Sequence, residues 1–324
     1  MLFRWIRTRQ RAVSALLWRS SKHIDVHDPL LLPLVLSRAL GFAGLSVVFG
    51  TLLVGKIVGV PDIAEVHKLS RLLWTALSVS VFGALLWGVL QTAAMAETDS
   101  LSATLALVPY VFTNTTFGHL VLLRLFLLAL TALVLTQRRT WSATFATLPA
   151  GFACLLEAGH LHAFARNPGL SLLLASEALH VLAAASWLGG LPALWVLTKK
   201  APLPRAAFVA RRFSALGIAA VLALIASAAF QGPALLGSWL AVFHTEFGRI
   251  CLAKLILFMA LLGLAARNRF SFLSRLTAGE EASRAALTRS VRLAIALGAL
   301  MLVLAALLSI LPPGIDVPAV PSAP

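Results

Sequence analysis

The chain has 324 residues, 60% of them hydrophobic and 12% charged, with a formal net charge of +15. Such a composition excludes an ordinary soluble domain and points to a polytopic membrane protein. The basic excess would point to nucleic acid in a soluble protein. Here the Lys and Arg residues sit mostly in short connections beside apolar runs, so anchoring and orientation account for it.

Residues 1–28 form a basic arm carrying Arg4, Arg7, Arg9, Arg11, Arg19 and Lys22. With Trp5, Leu16, Leu17 and Trp18, the arm reads as an amphipathic helix lying on the membrane surface. Residues 1–22 lack an apolar core of the length that a cleavable signal peptide needs. Residues 29–311 read as an all-α domain of eight spans. The apolar runs lie at about 31–55, 72–95, 119–136, 141–164, 170–197, 213–230, 250–266 and 293–311, each long enough to cross a bilayer at ~1.5 Å rise per residue. Residues 312–324 are Pro-rich and read as a disordered tail.

The connections after the first, third, fifth and seventh runs hold most of the basic residues, among them Lys56, Arg138, Lys199, Lys200, Arg211, Arg212, Arg267 and Arg269. The opposite connections hold Arg166 and, at a run edge, Arg249. The positive-inside rule places the first set in the cytoplasm, and eight spans then put both termini outside. The basic arm argues the other way; the long basic connections agree with one another and outweigh it.

An internal repeat divides the runs. Residues 115–139, TTFGHLVLLRLFLLALTALVLTQRR, resemble 245–269, TEFGRICLAKLILFMALLGLAARNR, with Arg124 opposite Lys254. Residues 37–52, SRALGFAGLSVVFGTL, resemble 176–191, SEALHVLAAASWLGGL, less strongly. Two four-span halves follow, and an even number of spans makes them parallel repeats. Glu177 and His180 of the second half stand opposite Arg38 and Gly41 of the first, so the repeat alone does not demand the acid and the imidazole.

Two Glu-x-x-His pairs, Glu157/His160 and Glu177/His180, lie inside the apolar runs. A charge at the centre of a membrane helix costs about 2.5–3.5 kcal/mol on insertion scales, which makes such groups functional candidates. The i,i+3 spacing puts each Glu and its His on one helix face. Histidine is the commonest metal ligand, and imidazole with carboxylate suits copper, zinc, iron or nickel. His160, His162, His119 and His244 fall at outer run ends, and His180 lies roughly 15 Å into its run. Only His67 falls in a cytoplasmic connection. Glu157 and Glu177 are ligands, partners that orient an imidazole, or counter-ions of Arg38, Arg124 or Lys254. Cys154 and Met259 are candidate soft copper ligands, with core filling as the plainer reading. Trp187 reads as packing, with Gly189 and Gly190 permitting close helix approach. The His23-x-Asp25-x-His27-Asp28 cluster reads as a solvated polar segment. Cys154 and Cys251 make neither zinc spacing nor a CxxC motif.

The run LHVLAAASWLGGLPAL at 179–194 resembles the signature of the copper resistance protein D (CopD) family. EAGHLHA from Glu157, RRFSALGI from Arg211 and TEFGRICLAKLILFMALLGLAARNRF from Thr245 resemble it as well. The matches cover roughly residues 31–311. The resemblance implies an eight-span bacterial inner-membrane protein with periplasmic termini that handles copper, proposed as import toward the cytoplasm. It carries His180 over from the HxLAAxxWLGG segment and His160 from the GH segment. Family members often work with, or are fused to, a periplasmic CopC-type copper-binding β-sandwich. The arm here is too short to hold one, so a CopC-type partner, where there is one, is a separate protein. The basic arm departs from the family pattern.

The leading expectation is therefore a copper permease or copper-handling membrane protein, not an enzyme. There is no GxxxxGK[ST] motif for ATP. Alternatives from other classes are a haem protein with bis-His ligation by His180 and His160 or His162, and an assembly or docking protein without transport.

Overall fold

A chain that crosses lipid must satisfy its own backbone hydrogen bonds, which favours helices. The structure, a computed structural model, describes residues 29–60, 63–137, 141–158, 171–236 and 241–311. Every regular element among them is helical. In chain order these are α1 Leu31–Val58, α2 Ile63–Ala96, α3 Leu101–Asn114, α4 Thr116–Thr136, α5 Ser142–Leu155, α6 Ser171–Trp187 and α7 Leu191–Thr198. Then follow α8 Leu203–Leu236, α9 Ala241–His244, α10 Glu246–Arg267, a π-helix at Asn268–Phe272, α11 Leu273–Thr277 and α12 Glu281–Leu308. The expectations for the basic arm, the tail, His23, His27, His160 and His162 lie outside the described residues.

Seven segments are long and apolar enough to cross a membrane: Leu31–Val58, Ile63–Ala96, Thr116–Thr136, Leu172–Thr198, Leu203–Leu236, Glu246–Thr277 and Glu281–Leu308. Each corresponds to one of the eight expected runs. The fourth run, 141–164, is not among them; its described helix, α5, has 14 residues. Two connections are shorter than the sequence reading has them. α2 and α8 are both 34 residues long, so His67, Lys68 and Arg71 lie on the first turns of α2 and not in a loop. Polar first turns extend an apolar helix when water or headgroups solvate them, and a hydropathy window does not register that extension.

α3 has no counterpart among the expected runs. Ser100 caps it by accepting the Ala103 N–H at 3.2 Å, as Ser does at helix starts. Thr115 then separates α3 from α4, and its Oγ1 donates to Val111 O at 2.7 Å while accepting the Gly118 N–H at 3.0 Å. Thr245 plays the same part before α10, accepting the Gly248 N–H at 3.0 Å.

α1 is the central element, packed against α2, α5, α6, α7, α8 and α12. Small residues let it be central. Gly50 of α1 meets Gly189 and Gly190 backbone to backbone, and a Cβ added at Gly189 would overlap the Ser46 carbonyl. This is the close approach that small residues permit between membrane helices. The same segment ends α6, because Gly189, Gly190 and Pro192 interrupt the ladder before α7. On the opposite face of α1, Ser80 of α2 donates to Gly41 O at 3.0 Å. One large apolar cluster joins α6, α7, α8, α10, α11 and α12 with the end of α1, and a second joins α1, α2, α4, α5 and α6. Phe82, Phe126, Leu222 and Ile256 point outward, as lipid-facing residues do.

Candidate functional site

Two polar groups interrupt the apolar interior, one in each half of the chain. The first gathers Arg38 of α1, Trp87 of α2, Arg124 of α4 and Glu157 just beyond α5. Arg124 Nη1 lies 2.8 Å from Glu157 Oε1 and Arg38 Nη2 lies 3.8 Å from Oε2. The Arg124 approach is an ion pair by distance, not aligned as a hydrogen bond, and Arg124 Nε and Nη2 have no hydrogen-bond partner among the described residues. Both guanidinium groups stand over the Trp87 ring, at 4.8 Å for Arg38 and 5.7 Å for Arg124. An aromatic face replaces part of the hydration that a buried cation loses. Of the roles open to Glu157 in the sequence, the structure places it as counter-ion to Arg38 and Arg124. Cys154 is fully buried nearby, in the cluster of α1, α2, α4, α5 and α6.

The second group gathers Ser176, Glu177 and His180 of α6, Ser227 and Gln231 of α8, and Lys254 of α10. His180 Nδ1 lies 2.9 Å from Ser227 Oγ. Ser227 Oγ already gives its proton to Ala223 O at 2.7 Å or to Leu224 O at 3.1 Å. The hydroxyl can therefore only accept from the imidazole, so in the neutral ring Nδ1 carries the proton and Nε2 carries the lone pair. Nε2 has no hydrogen-bond partner among the described residues. Gln231 donates to Ser176 Oγ at 3.2 Å, and Ser176 Oγ donates to Ser227 O at 3.3 Å; the Gln231 amide also lies beside the Glu177 carboxylate. Lys254 faces both Glu177 and His180 electrostatically.

Residues of the two groups stand opposite one another in the alignment of residues 37–52 with 176–191 and of 115–139 with 245–269. Arg38 stands where Glu177 stands, and Arg124 where Lys254 stands. Counted from the first residues of the equally long α2 and α8, Trp87 corresponds to Ser227 and Gln91 to Gln231. By that count an indole stands in the first group where the second has the hydroxyl that holds the imidazole. Two contacts join matching places directly. Gly50 meets Gly189, and Glu65 of α2 pairs with Arg205 of α8, Oε2 to Nη2 at 2.7 Å and Oε1 to Nε at 3.1 Å.

The remaining candidates are spread out. His119 is exposed, with Nε2 2.9 Å from Thr113 O. His244 is exposed at the end of α9. Met259 is half exposed on α10. Trp187 is buried, edge-on to Phe258 at 6.2 Å. No group of three or more His, Cys, Asp or Glu suited to a metal ion occurs among the described residues. Sequence reasoning missed Ser176, Ser227 and Gln231. Their signal was available: Ser227 and Gln231 are polar at i,i+4 at the end of the sixth apolar run.

Residues 26–172 match the family described as copper resistance protein D-like, N-terminal domain, and residues 207–308 match copper resistance protein D. The chain is 30% identical over 207 residues to inner membrane protein YebZ of Escherichia coli (strain K12), an alignment covering 62% of this chain and 70% of that protein. No solved structure matches it.

Proposed function

This chain belongs to the copper resistance protein D family, and from that premise we propose that it carries copper across the bacterial inner membrane, from the periplasmic side toward the cytoplasm. The observation that supports this most is His180. Its imidazole sits within an apolar span, Ser227 holds its Nδ1, and its Nε2 lone pair is left for an ion. Metal-binding histidines characteristically have the other ring nitrogen held by such a partner, and imidazole suits copper. In this reading His160 and His162 supply further imidazoles from the segment between α5 and α6. His119 and His244 are earlier contacts at the outer helix ends. Glu177 orients the site, and Cys154 and Met259 are soft stations along the path. The protein is a carrier and not an enzyme, and a CopC-type periplasmic protein is its proposed partner.

The proposed topology has eight crossings in two parallel four-helix halves, with both termini periplasmic. The matching threonine caps, the equal lengths of α2 and α8, and the Gly50–Gly189 and Glu65–Arg205 contacts support this arrangement.

The test is copper content and copper uptake in proteoliposomes for the native protein, His160→Ala and His180→Ala. At least a tenfold loss of uptake is expected for His180→Ala. Unchanged binding and uptake in both variants ends the site assignment, and a strong Soret band in the purified protein replaces it with the haem reading.

A further inference from the structure

A cavity of about 360 Å³ lies between α7, α8, α10 and α12, within the size range of small-ligand sites. It follows α8 from Ala210 to Leu222, roughly 18 Å at the helical rise. Its walls are apolar along most of that length, from Leu191, Leu261 and Trp187 among others. The polar lining residues, Ser214, Asn268 and Arg269, gather at one end.

Three features of that end define an occupant. Arg269 is the single charged residue among the described residues that line the cavity, with no Asp or Glu among them. Its Nη1 donates to Ser214 Oγ at 2.8 Å, which steadies the guanidinium and leaves further N–H groups for an anion. Asn268 Oδ1 is buried without a hydrogen-bond partner among the described residues, an acceptor that a donor on the occupant would satisfy. Asn268 and Arg269 also open the π-helix at Asn268–Phe272, a rare conformation that is frequent at functional sites.

The open side of the cavity shows what surrounds it. Ile218, Leu222 and Phe270 rim it and are 44%, 62% and 76% exposed. In a chain with this many apolar helices, such a rim faces the hydrocarbon phase and not water. The polar end lies where α10 passes from its apolar run into the basic stretch Arg267, Arg269 and Arg275, the level of lipid headgroups. Basic pockets between membrane helices at that level suit anionic lipid headgroups.

We propose that this cavity is a binding site for an acidic phospholipid with a hydroxylated headgroup, of the phosphatidylglycerol type. One acyl chain lies along α8, the phosphate meets Arg269, and a headgroup hydroxyl donates to Asn268 Oδ1. The site is separate from the His180 group and does not depend on copper.

The experiment uses the full chain in lipid nanodiscs of phosphatidylglycerol and phosphatidylcholine, followed by native mass spectrometry after transfer to mild detergent. The native protein is expected to retain one lipid per chain, with about a fivefold preference for phosphatidylglycerol, the scale of one Arg near an anionic lipid. Arg269→Gln, at an exposed position, should keep the fold and lose the preference. Gly217→Leu should fill the cavity and lose the retained lipid; a Cβ there would meet only Trp187 Nε1, at 3.4 Å, and its neighbouring ring carbon. Millimolar inorganic phosphate should not displace the lipid. Equal retention by the native protein and a folded Gly217→Leu variant overturns the proposal. So does a preference that survives Arg269→Gln, or displacement by phosphate alone. If Gly217→Leu fails to fold, Arg269→Gln decides.

Discussion

Replacing Ser227 with Ala isolates the contact on which the His180 argument rests. In the native protein the Ser227 hydroxyl gives its proton to the α8 backbone and accepts from His180 Nδ1 at 2.9 Å. Removing it costs the fold about one hydrogen bond, ~0.5–1.5 kcal/mol net, and lowers the melting temperature by about 1–2 °C. Its effect on metal binding is larger. Without an acceptor at Nδ1, the ring is free to carry its proton on Nε2 and to turn away. Loss of such a supporting partner typically weakens metal affinity about 10- to 100-fold, or about 1.4–2.8 kcal/mol. Ser227→Thr keeps the hydroxyl and should stay close to native. The assay is competition for copper against a chromophoric chelator in detergent, with thermal unfolding measured on the same samples and His180→Ala as the reference for a lost ligand. Native-like affinity in Ser227→Ala, within twofold, refutes the tautomer argument. Absence of copper binding by the native protein refutes the site itself.

Glu157→Gln strands Arg38 and Arg124 in the interior, and loss of one partner of a buried pair costs about 3–5 kcal/mol. Thermal unfolding should show the loss, with partial recovery when Arg124→Gln is added, and a Glu157→Gln variant as stable as native contradicts the counter-ion role. Glu65→Arg should weaken the contact between α2 and α8 by about 1.5–3 kcal/mol, the range for charged hydrogen bonds. Adding Arg205→Glu should restore part of it, and a double-mutant cycle without coupling removes this link between α2 and α8. Ser102→Cys and Ala278→Cys, both exposed positions, test orientation. A membrane-impermeant thiol reagent applied to intact spheroplasts should label the first and not the second, and the reverse pattern inverts the topology.

Much of the architecture was legible because hydropathy is a local property. A run of apolar residues has to become a helix wherever it lies, so Leu31–Val58 or Glu281–Leu308 can be read without knowledge of its neighbours. The ends were less legible. The starts of α2 and α8 carry charged residues, Glu65 and Lys68 in one and Arg205, Arg211 and Arg212 in the other, and α3, at 14 residues, is too short to register as a span. The family likeness was also readable, since it rests on residues adjacent in the chain such as the run from Leu179 to Leu194.

The polar partnerships were a different matter. The sequence offered Arg38, Arg124 and Lys254 as rivals for Glu157 and Glu177 and had no means to choose. Tertiary structure paired Glu157 with the two arginines and set Glu177 near Gln231 and Lys254. It also brought Ser227, 47 residues from His180 in sequence, within hydrogen-bond distance of the imidazole. A buried charge takes its partner from whichever helix packs beside it. That neighbour is set by where Gly50, Gly189 and other small residues let backbones approach. The sequence by itself therefore determined an all-helical membrane chain of the copper resistance protein D family. Only the tertiary structure decided which of its buried polar groups is a filled ion pair and which presents an imidazole nitrogen.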